Sequence, residues 1–403
     1  IAKQRMQLEQ QKVFKSNAGL TPTVRAFAGG EYAQNNLILE LNTFGDSGAE
    51  TQRLTEDLAF SMSHNAGVRI DYTLYNGGRG KYQLEQFQNF ADLSTLQMRF
   101  TVENILLRVT QLYLMVRSLE QNEQLLKESI GLSKQRLAKT ELASKYAKEN
   151  HLSILRARTN LTTDSISLRN LQRDMVNTKK NLLQLLHIKE AYDFSTAALN
   201  NSTELPIFNQ LRTTTLQSNT QILMARQGAF IEEQQLRIDE TANLPQVDIF
   251  AGPTFLRQDF EVNQIKSSQT IGPSAGFSVN YLLLDGKRRQ RNQAIQRLEI
   301  IVSKQEESLT TNTVLLELDQ TWNNYRAIQE QLAFEQASLP FYEENLNQSI
   351  INNETGKISD TDVRAAQLNL LAAEVSVARL EIELQQTYFS LLKIAGLITT
   401  FKN

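Results

Sequence analysis

Few residues in this 403-residue chain could do chemistry. "GGRGK" (Gly77 to Lys81) has the glycines and the lysine of a phosphate-cradling loop. The GxxxxGK[ST] spacing is absent, however, because Tyr82 follows Lys81 and the preceding residues read as a strand end. His64, His151 and His187 lie in different elements at no metal-ligand spacing, so they read as surface histidines. The chain has no cysteine, which removes disulfides, thiolate metal sites and thiol nucleophiles. No Ser-His-Asp set or paired-carboxylate arrangement stands out, so no catalysis, cofactor or metal is expected.

What remains is charge in unusual places. Asp360 and Asp362 in "ISDTDVRAA" follow Ser359 at the start of a helical run, where acids ordinarily cap the helix and complement its dipole. Arg79 and Lys81 in "YNGGRGK", and Lys287 and Arg288 in "LLDGKRRQR", do the opposite. They put positive charge at a helix start where the macrodipole is already positive, so something outside the helix must favour them. Arg25, Arg69, Asp71 and Asp248 sit inside stretches that alternate like strands.

The elements that carry these charges are long. Only 6 Pro and 17 Gly interrupt the chain, too few for many small domains joined by linkers. Net charge is −2, so no basic excess points to nucleic acid. No run of about 18 apolar residues exists, which excludes a transmembrane helix and leaves a transmembrane β-barrel open. The sequence opens at "IAKQRMQLEQQKVFK", in mid-helix and without a signal peptide, so the start of the natural product is expected upstream.

The chain is written twice. "TPTVRAFAGG" from Thr21 matches "LPQVDIFAGP" from Leu244, with Pro22 recurring as Pro245 and Val24 as Val247, a shift of 223. "VRIDYTLYNGGRG" matches "FSVNYLLLDGKRR", with Tyr72 recurring as Tyr281, Gly77 as Gly286 and Arg79 as Arg288, a shift of 209. The first copy therefore holds 14 extra residues around "NTFGDSGAETQ". The 209 shift then continues without a gap through Arg117/Arg326 and Asn160/Asn369.

Within each copy the apolar period changes from 2 to 3.5. Val68, Ile70, Tyr72 and Leu74 share one strand face, opposite Arg69, Asp71, Thr73 and Tyr75. Beyond the turn, Val102, Ile105, Val109, Leu112, Val116 and Leu119 form a coiled-coil seam, and Leu168, Leu171, Met175, Leu182 and Leu185 form another on the return. The first repeat thus spans 1–188: a helix tail, strands at about 20–32 and 63–76, a helix at about 79–145 and a return helix at about 150–188. An irregular connection covers 189–206. The second repeat spans 207–403, with a helix at about 207–241, strands at about 245–258 and 272–285, a helix at about 287–353 and a return at about 359–397. At 1.5 Å per residue the outgoing helices are roughly 100 Å long. Gly131 and its counterpart Pro340 weaken both at one level.

Strands with one apolar and one charged face fit either a soluble two-layer sheet or a barrel with lipid outside and water within. In lipid the sheet must close, because two bare edges of about ten residues would cost tens of kcal/mol. Helices of this length growing from the strands favour the barrel.

The tandem units, the strand ends "YNGGRGK" and "LLDGKRRQR", the "LP-x-V" lead into a strand and the tip "TGKISDTDVRAAQLNLLAAEVSVARLEIELQQTYFSLLKIAGL" resemble the TolC-like outer-membrane channel family over essentially the whole chain. The resemblance implies an α+β membrane protein: a homotrimer whose chains each give four strands to a 12-stranded outer-membrane β-barrel, continued by a periplasmic α-helical barrel. It implies a passive exit duct for tripartite drug efflux or for type I protein secretion. The partners would be a periplasmic adaptor and, through it, an inner-membrane transporter, with outer-membrane lipid around the barrel and no nucleic acid. A soluble coiled-coil scaffold or stalk is the rival from another class.

By the same resemblance Asp362 matches the gate aspartate at the periplasmic end. A second acidic position holds Ala365, for which Asp360 could substitute. A threefold ring of such carboxylates would attract cations, while the capping role above remains the alternative. Adaptor contact is implied for the tips, Gly356 and Lys357 in the second copy and Ala147, Lys148 and Glu149 in the first. Tyr72, Tyr75 and Tyr281 would lie in an interfacial girdle. Gly77 and Gly286 would turn the chain out of the membrane, and Arg79, Lys81, Lys287 and Arg288 would meet headgroups or the lumen. Arg25, Arg69, Asp71 and Asp248 would face the barrel lumen.

Overall fold

The computed structural model describes residues 1–45, 48–146, 151–189, 193–197, 206–261 and 266–399. The order is α1 (Ala2–Lys12), β1 (Thr23–Gly45), β2 (Gly48–Tyr75), α2 (Arg79–Lys145), α3 (His151–Leu185), α4 (Phe208–Ser218), α5 (Thr220–Thr241), β3 (Gln246–Phe260), β4 (Ser267–Asn280), α6 (Arg288–Glu354) and α7 (Asp360–Ile394). The duplication is visible in the helix ends themselves. α2 and α6 are both 67 residues long, α3 and α7 both 35, and Arg79/Arg288, Lys145/Glu354, His151/Asp360 and Leu185/Ile394 are each 209 apart. Gly131 and Pro340 end neither outgoing helix, and Pro340 sits on an exposed side.

Three boundaries differ from the sequence reading. The helix expected over 207–241 is two helices, because Asn219 between them is extended (φ −64°, ψ 123°). Its buried side chain caps α5, accepting from the Gln221 and Ile222 N–H at 2.9 and 3.1 Å, and donates to the Ile394 carbonyl at 2.8 Å. β1 and β2 are much longer than the expected 20–32 and 63–76. The 14 extra residues of the first copy continue the antiparallel ladder out to Gly45 opposite Gly48. β4, conversely, stops at Asn280 rather than near 285.

Two compact units divide the chain, and the division crosses the repeats. One unit comprises Ile1–Thr95 with Gln227–Gln305, the other Leu96–Arg226 with Glu306–Asn403. Each draws on both copies, so the repeats are not two separate domains.

The first unit holds a single antiparallel sheet in the order β1-β2-β3-β4. The pair β2–β3 joins the two copies, with Ile70 opposite Ala251 and Ser61 opposite Phe260. Val24, Val68, Ile70, Ile249, Ile271, Phe277 and Val279 fall on one face and are exposed, an apolar band on the outside of the sheet rather than a core. Among the described residues no helix is long and apolar enough to cross a membrane.

The second unit has its core among the helices. Leu211, Ile222, Val314, Leu318, Tyr325, Tyr388, Leu391 and Ile394 form the main cluster, and Leu346, Val363 and Ala366 form another near the α6–α7 turn. On α7 the counterparts of Leu171, Leu182 and Leu185 at the shift of 209, which are Leu380, Leu391 and Ile394, are buried. The α2 seam departs from the expected spacing at one end: Val102 and Ile105 are exposed, and the buried residue between them is Glu103. Burial of that carboxylate is satisfied by Arg99 Nε at 2.8 Å and by the Thr220 hydroxyl at 2.8 Å.

Candidate functional site

The α6–α7 turn is built by local chemistry. Gly356 follows α6 with φ +74°, the left-handed conformation that commonly ends helices, and its N–H and that of Lys357 return to the Asn353 and Asn352 carbonyls at 3.0 and 2.8 Å. Ser359 then caps α7. Its hydroxyl accepts from the Asp362 N–H at 3.3 Å, and Asp362 Oδ2 accepts from the Ser359 N–H at 2.9 Å and from its hydroxyl at 2.7 Å. These hydrogen bonds, that of the Ser359 side chain first, hold the Asp362 carboxyl below the usual carboxylate range. Asp362 is thus a helix cap with an exposed, ionised carboxylate.

Asp360 is engaged differently. Arg136 of α2 reaches it with Nε to Oδ1 at 3.1 Å and Nη2 to Oδ2 at 2.8 Å, and also donates to its carbonyl at 2.7 Å. The charge that could have supplied a second acidic ring is therefore balanced within the chain. Gly356 and Lys357 lie in the turn described above, whereas Ala147, Lys148 and Glu149 fall outside the described residues.

Behind the turn lies a polar network that the motif search missed. Arg364 donates to Asp164 of α3 at 2.9 Å (Nη1 to Oδ2) and 2.5 Å (Nη2 to Oδ1), and Ser133 of α2 donates to the same carboxylate at 2.8 Å. Gln367 donates to the Ser129 carbonyl and hydroxyl at 2.8 and 2.9 Å and accepts from Arg136 at 3.0 Å. All of Ser129, Ser133, Asp164, Arg364 and Gln367 are buried. One signal could have found it: Asp164 continues the α3 seam of Leu168, Leu171 and Met175 at the heptad spacing, and a charge in a seam needs a partner.

The charged sheet face brings its four expected residues into two groups. Asp71 is shared by Arg25 (Nη2 to Oδ2, 2.8 Å) and Arg69 (Nε to Oδ1, 2.7 Å), and the Arg69 guanidinium lies 4.0 Å over the Phe250 ring. Asp248 accepts from the Thr73 hydroxyl at 2.7 Å and from the Gln246 amide at 3.0 Å. Strand alternation puts all of these opposite the apolar band.

At the strand-to-helix junctions Tyr75 and Tyr281 are exposed and Tyr72 is half-buried. Gly77 and Gly286 both have positive φ, +68° and +65°, as does Lys287 at +66°. Arg79 and Arg288 open α2 and α6, and Lys81 lies 3.9 Å from Glu85. The second junction contains its own acid: Asp285 accepts from the Arg289 N–H at 3.0 Å and from its guanidinium Nε at 2.9 Å, supplying the negative charge that a helix start prefers.

A clasp closes on α2 and α3 in the second unit. Lys179 pairs with Asp193 at 3.1 Å and donates to the Phe194 carbonyl, while Glu120 accepts from the Thr196 N–H and hydroxyl at 2.9 and 2.6 Å. Burial opposes charge on both side chains. Thr196 and Lys179 nevertheless hold Glu120 below the usual range, and Asp193 and Glu120 hold Lys179 above its own.

Residues 211–397 match the outer membrane efflux protein family. The fold of the whole chain agrees with it. CusC, whose structures describe transmembrane channel formation, is 16% identical with a TM-score of 0.80, over 98% of this chain and 88% of that one. The outer-membrane channel OprN is 17% identical, TM-score 0.79, over 98% and 86%. The outer membrane channel CmeC of Campylobacter jejuni is 15% identical, TM-score 0.75, over 98% and 82%. No curated protein matches the chain. The chain has the fold of the outer-membrane channels, as the resemblance to the TolC-like family implied. Among the described residues no group of three or more His, Asp or Glu side chains could hold a metal ion.

Proposed function

We propose that the protein is the passive outer-membrane exit duct of a tripartite efflux system, passing small toxic compounds to the exterior. Three copies close a 12-stranded barrel, and the helices continue into the periplasm, where a periplasmic adaptor couples them to an inner-membrane transporter. The observation that carries this reading is the sheet: among the described residues its outer strands β1 and β4 each pair on one side only, and it has an exposed apolar face and an ion-paired face. Such a sheet suits lipid outside and water inside only when closed. In this reading Arg25, Arg69, Asp71 and Asp248 line the water-filled interior. The exposed tyrosines and cations of the two junctions mark the membrane boundary, and the turns at the ends of the paired helices, Gly356 and Lys357 among them, meet the adaptor. Asp362 gives the periplasmic end one acidic ring; with Arg136 on Asp360, a second is not proposed. No enzymatic step is needed.

Purified protein in planar bilayers tests the reading. Stable conductance is expected, with Asp362→Asn lowering the preference for cations. A protein confined to the soluble fraction that never conducts would sink it. Loss of the gene should sensitise cells to small toxic compounds; a defect confined to one exported protein would instead identify a secretion duct.

A further inference from the structure

The three ladders keep one register through the middle of the sheet, so residues on its apolar face line up in rows across all four strands. From Val247 and Val279, at the end of the sheet that joins the helices, up to the row of Ala28, Ala66, Phe255 and Ile271, that face carries no charged or amide side chain. The next row reverses this. Gly30 stands opposite His64, His64 opposite Arg257 and Arg257 opposite Gln269. His64, Arg257 and Gln269 are all exposed, and the row holds no apolar side chain.

The level of this row matters. Arg257 lies ten residues beyond Val247 on β3 (257 − 247), which at about 3.3 Å per residue is roughly 33 Å along the strand. For barrel strands tilted by about 40° the rise is roughly 25 Å, the height of the apolar band of a transmembrane barrel. The polar row therefore falls where hydrocarbon gives way to headgroups, on the side away from the helices. Its parts are arranged for an anion. Asp259, one row further out, accepts from Arg257 Nε at 3.0 Å and from Nη2 at 3.2 Å, which braces the guanidinium and leaves Nη1 to donate elsewhere. Beside His64, Gly30 leaves room: the nearest atom to a Cβ there would be the His64 ring Nδ1, at 3.4 Å. Beyond the row, on the same face, Tyr32 and Phe60 stack with ring centroids 6.1 Å apart, an apolar platform with a polar tip.

We infer that His64, Arg257 and Gln269 bind the phosphate of an outer-leaflet glycolipid, with Tyr32 and Phe60 against its sugar. The inference rests on the closed-barrel reading, which turns this face to lipid. Arginine presents the planar fork of donors that matches phosphate oxygens, and the imidazole and amide N–H groups add donors from the strands on either side of β3. Charge and level together select the occupant. Acyl chains cover the apolar rows, so the anionic group that reaches the polar row is the one that carries those chains.

The probe is a diphosphorylated lipid A, mixed in detergent with the purified protein and followed by native mass spectrometry. The native protein should retain it, should release its fully dephosphorylated form, and should not give it up to excess inorganic phosphate. Arg257→Gln/His64→Gln should lower retention about tenfold or more, whereas Lys3→Gln, which removes an exposed cation from α1, should leave it unchanged. Native conductance in planar bilayers shows that a variant is folded and inserted, and the arms on the native protein decide the matter if a variant is not. Equal retention of the dephosphorylated lipid, displacement by inorganic phosphate, or native retention by the double variant would each overturn the site. So would a native protein that conducts but retains no lipid A, and the channel reading would then stand. A protein that neither conducts nor retains the lipid removes both.

Discussion

Arg364 on α7 grips Asp164 on α3 through two parallel hydrogen bonds, with both side chains nearly withdrawn from solvent. Ser133 on α2 completes the contact, so three helices meet at one carboxylate. Asp164→Ala strands a buried guanidinium and should destabilise the protein by about 3–5 kcal/mol. The apolar double variant Asp164→Leu/Arg364→Met should recover most of that loss, because neither charge then needs a partner. Thermal unfolding followed by circular dichroism compares them, and a double variant as weak as the single one would contradict the argument.

Asp362 makes the tip sensitive to acid. Its carboxyl is held below the usual range by the Ser359 hydroxyl and N–H. A folded-state value below the unfolded one means that the stabilisation is complete above the ordinary aspartate range and is lost as pH falls through the depressed value. Hydrogen exchange in the first turn of α7, corrected for intrinsic rates, should therefore stay slow until the pH is well into the acid range. Ser359→Ala should move the loss of protection upward toward the ordinary range; an unmoved transition would show that another group is titrating.

The clasp at residues 193–197 should depend on Lys179. Replacing it with Met removes the pair with Asp193 and with Glu120 together with the bond to the Phe194 carbonyl. Charged hydrogen bonds contribute about 1.5–3 kcal/mol, so limited proteolysis in this segment should accelerate by about tenfold or more. Equal cleavage rates in the two proteins would show that the clasp is held elsewhere.

Gly356→Ala places a Cβ on a residue at φ +74°, although nothing crowds it. The cost is then conformational alone, about 1–2 kcal/mol, and should appear as faster hydrogen exchange around the α6–α7 turn. Asn, which tolerates the left-handed region better, should cost less than Ala. An Ala variant as protected as the native turn would contradict the strain argument.

Much of the fold was legible because it is periodic. Both outgoing helices, both returns and all four strands announce themselves by apolar spacing, and the shifts of 223 for the first strand and 209 for the rest fix their counterparts. The extension of β1 and β2 escaped although its pairing is local, while the other differences depend on partners distant in sequence. Asn219 breaks a helix because Ile394 is there to accept its amide, and Asp360 is neutralised by Arg136, 224 residues away. β4 looked longer than it is because Tyr281 to Leu284 stand where Tyr72 to Tyr75 finish β2, without the following strand that β3 gives to β2. The capping role of Asp362 was readable from Ser359 alone, since a capping box is local.

Equal helices impose a rule on length. With 67 and 35 residues on each side of both turns, and seams that return every seven residues, shortening α2 by any other number would rotate its apolar stripe away from its neighbours. A heptad removed from α2 must also leave α3, and then α6 and α7, if the two tips are to end level. Such a protein changes its reach only in quadruple steps of seven residues, roughly 10 Å each at 1.5 Å per residue. The duplicated chain is in that sense a ruler, graduated by its own heptads and read twice.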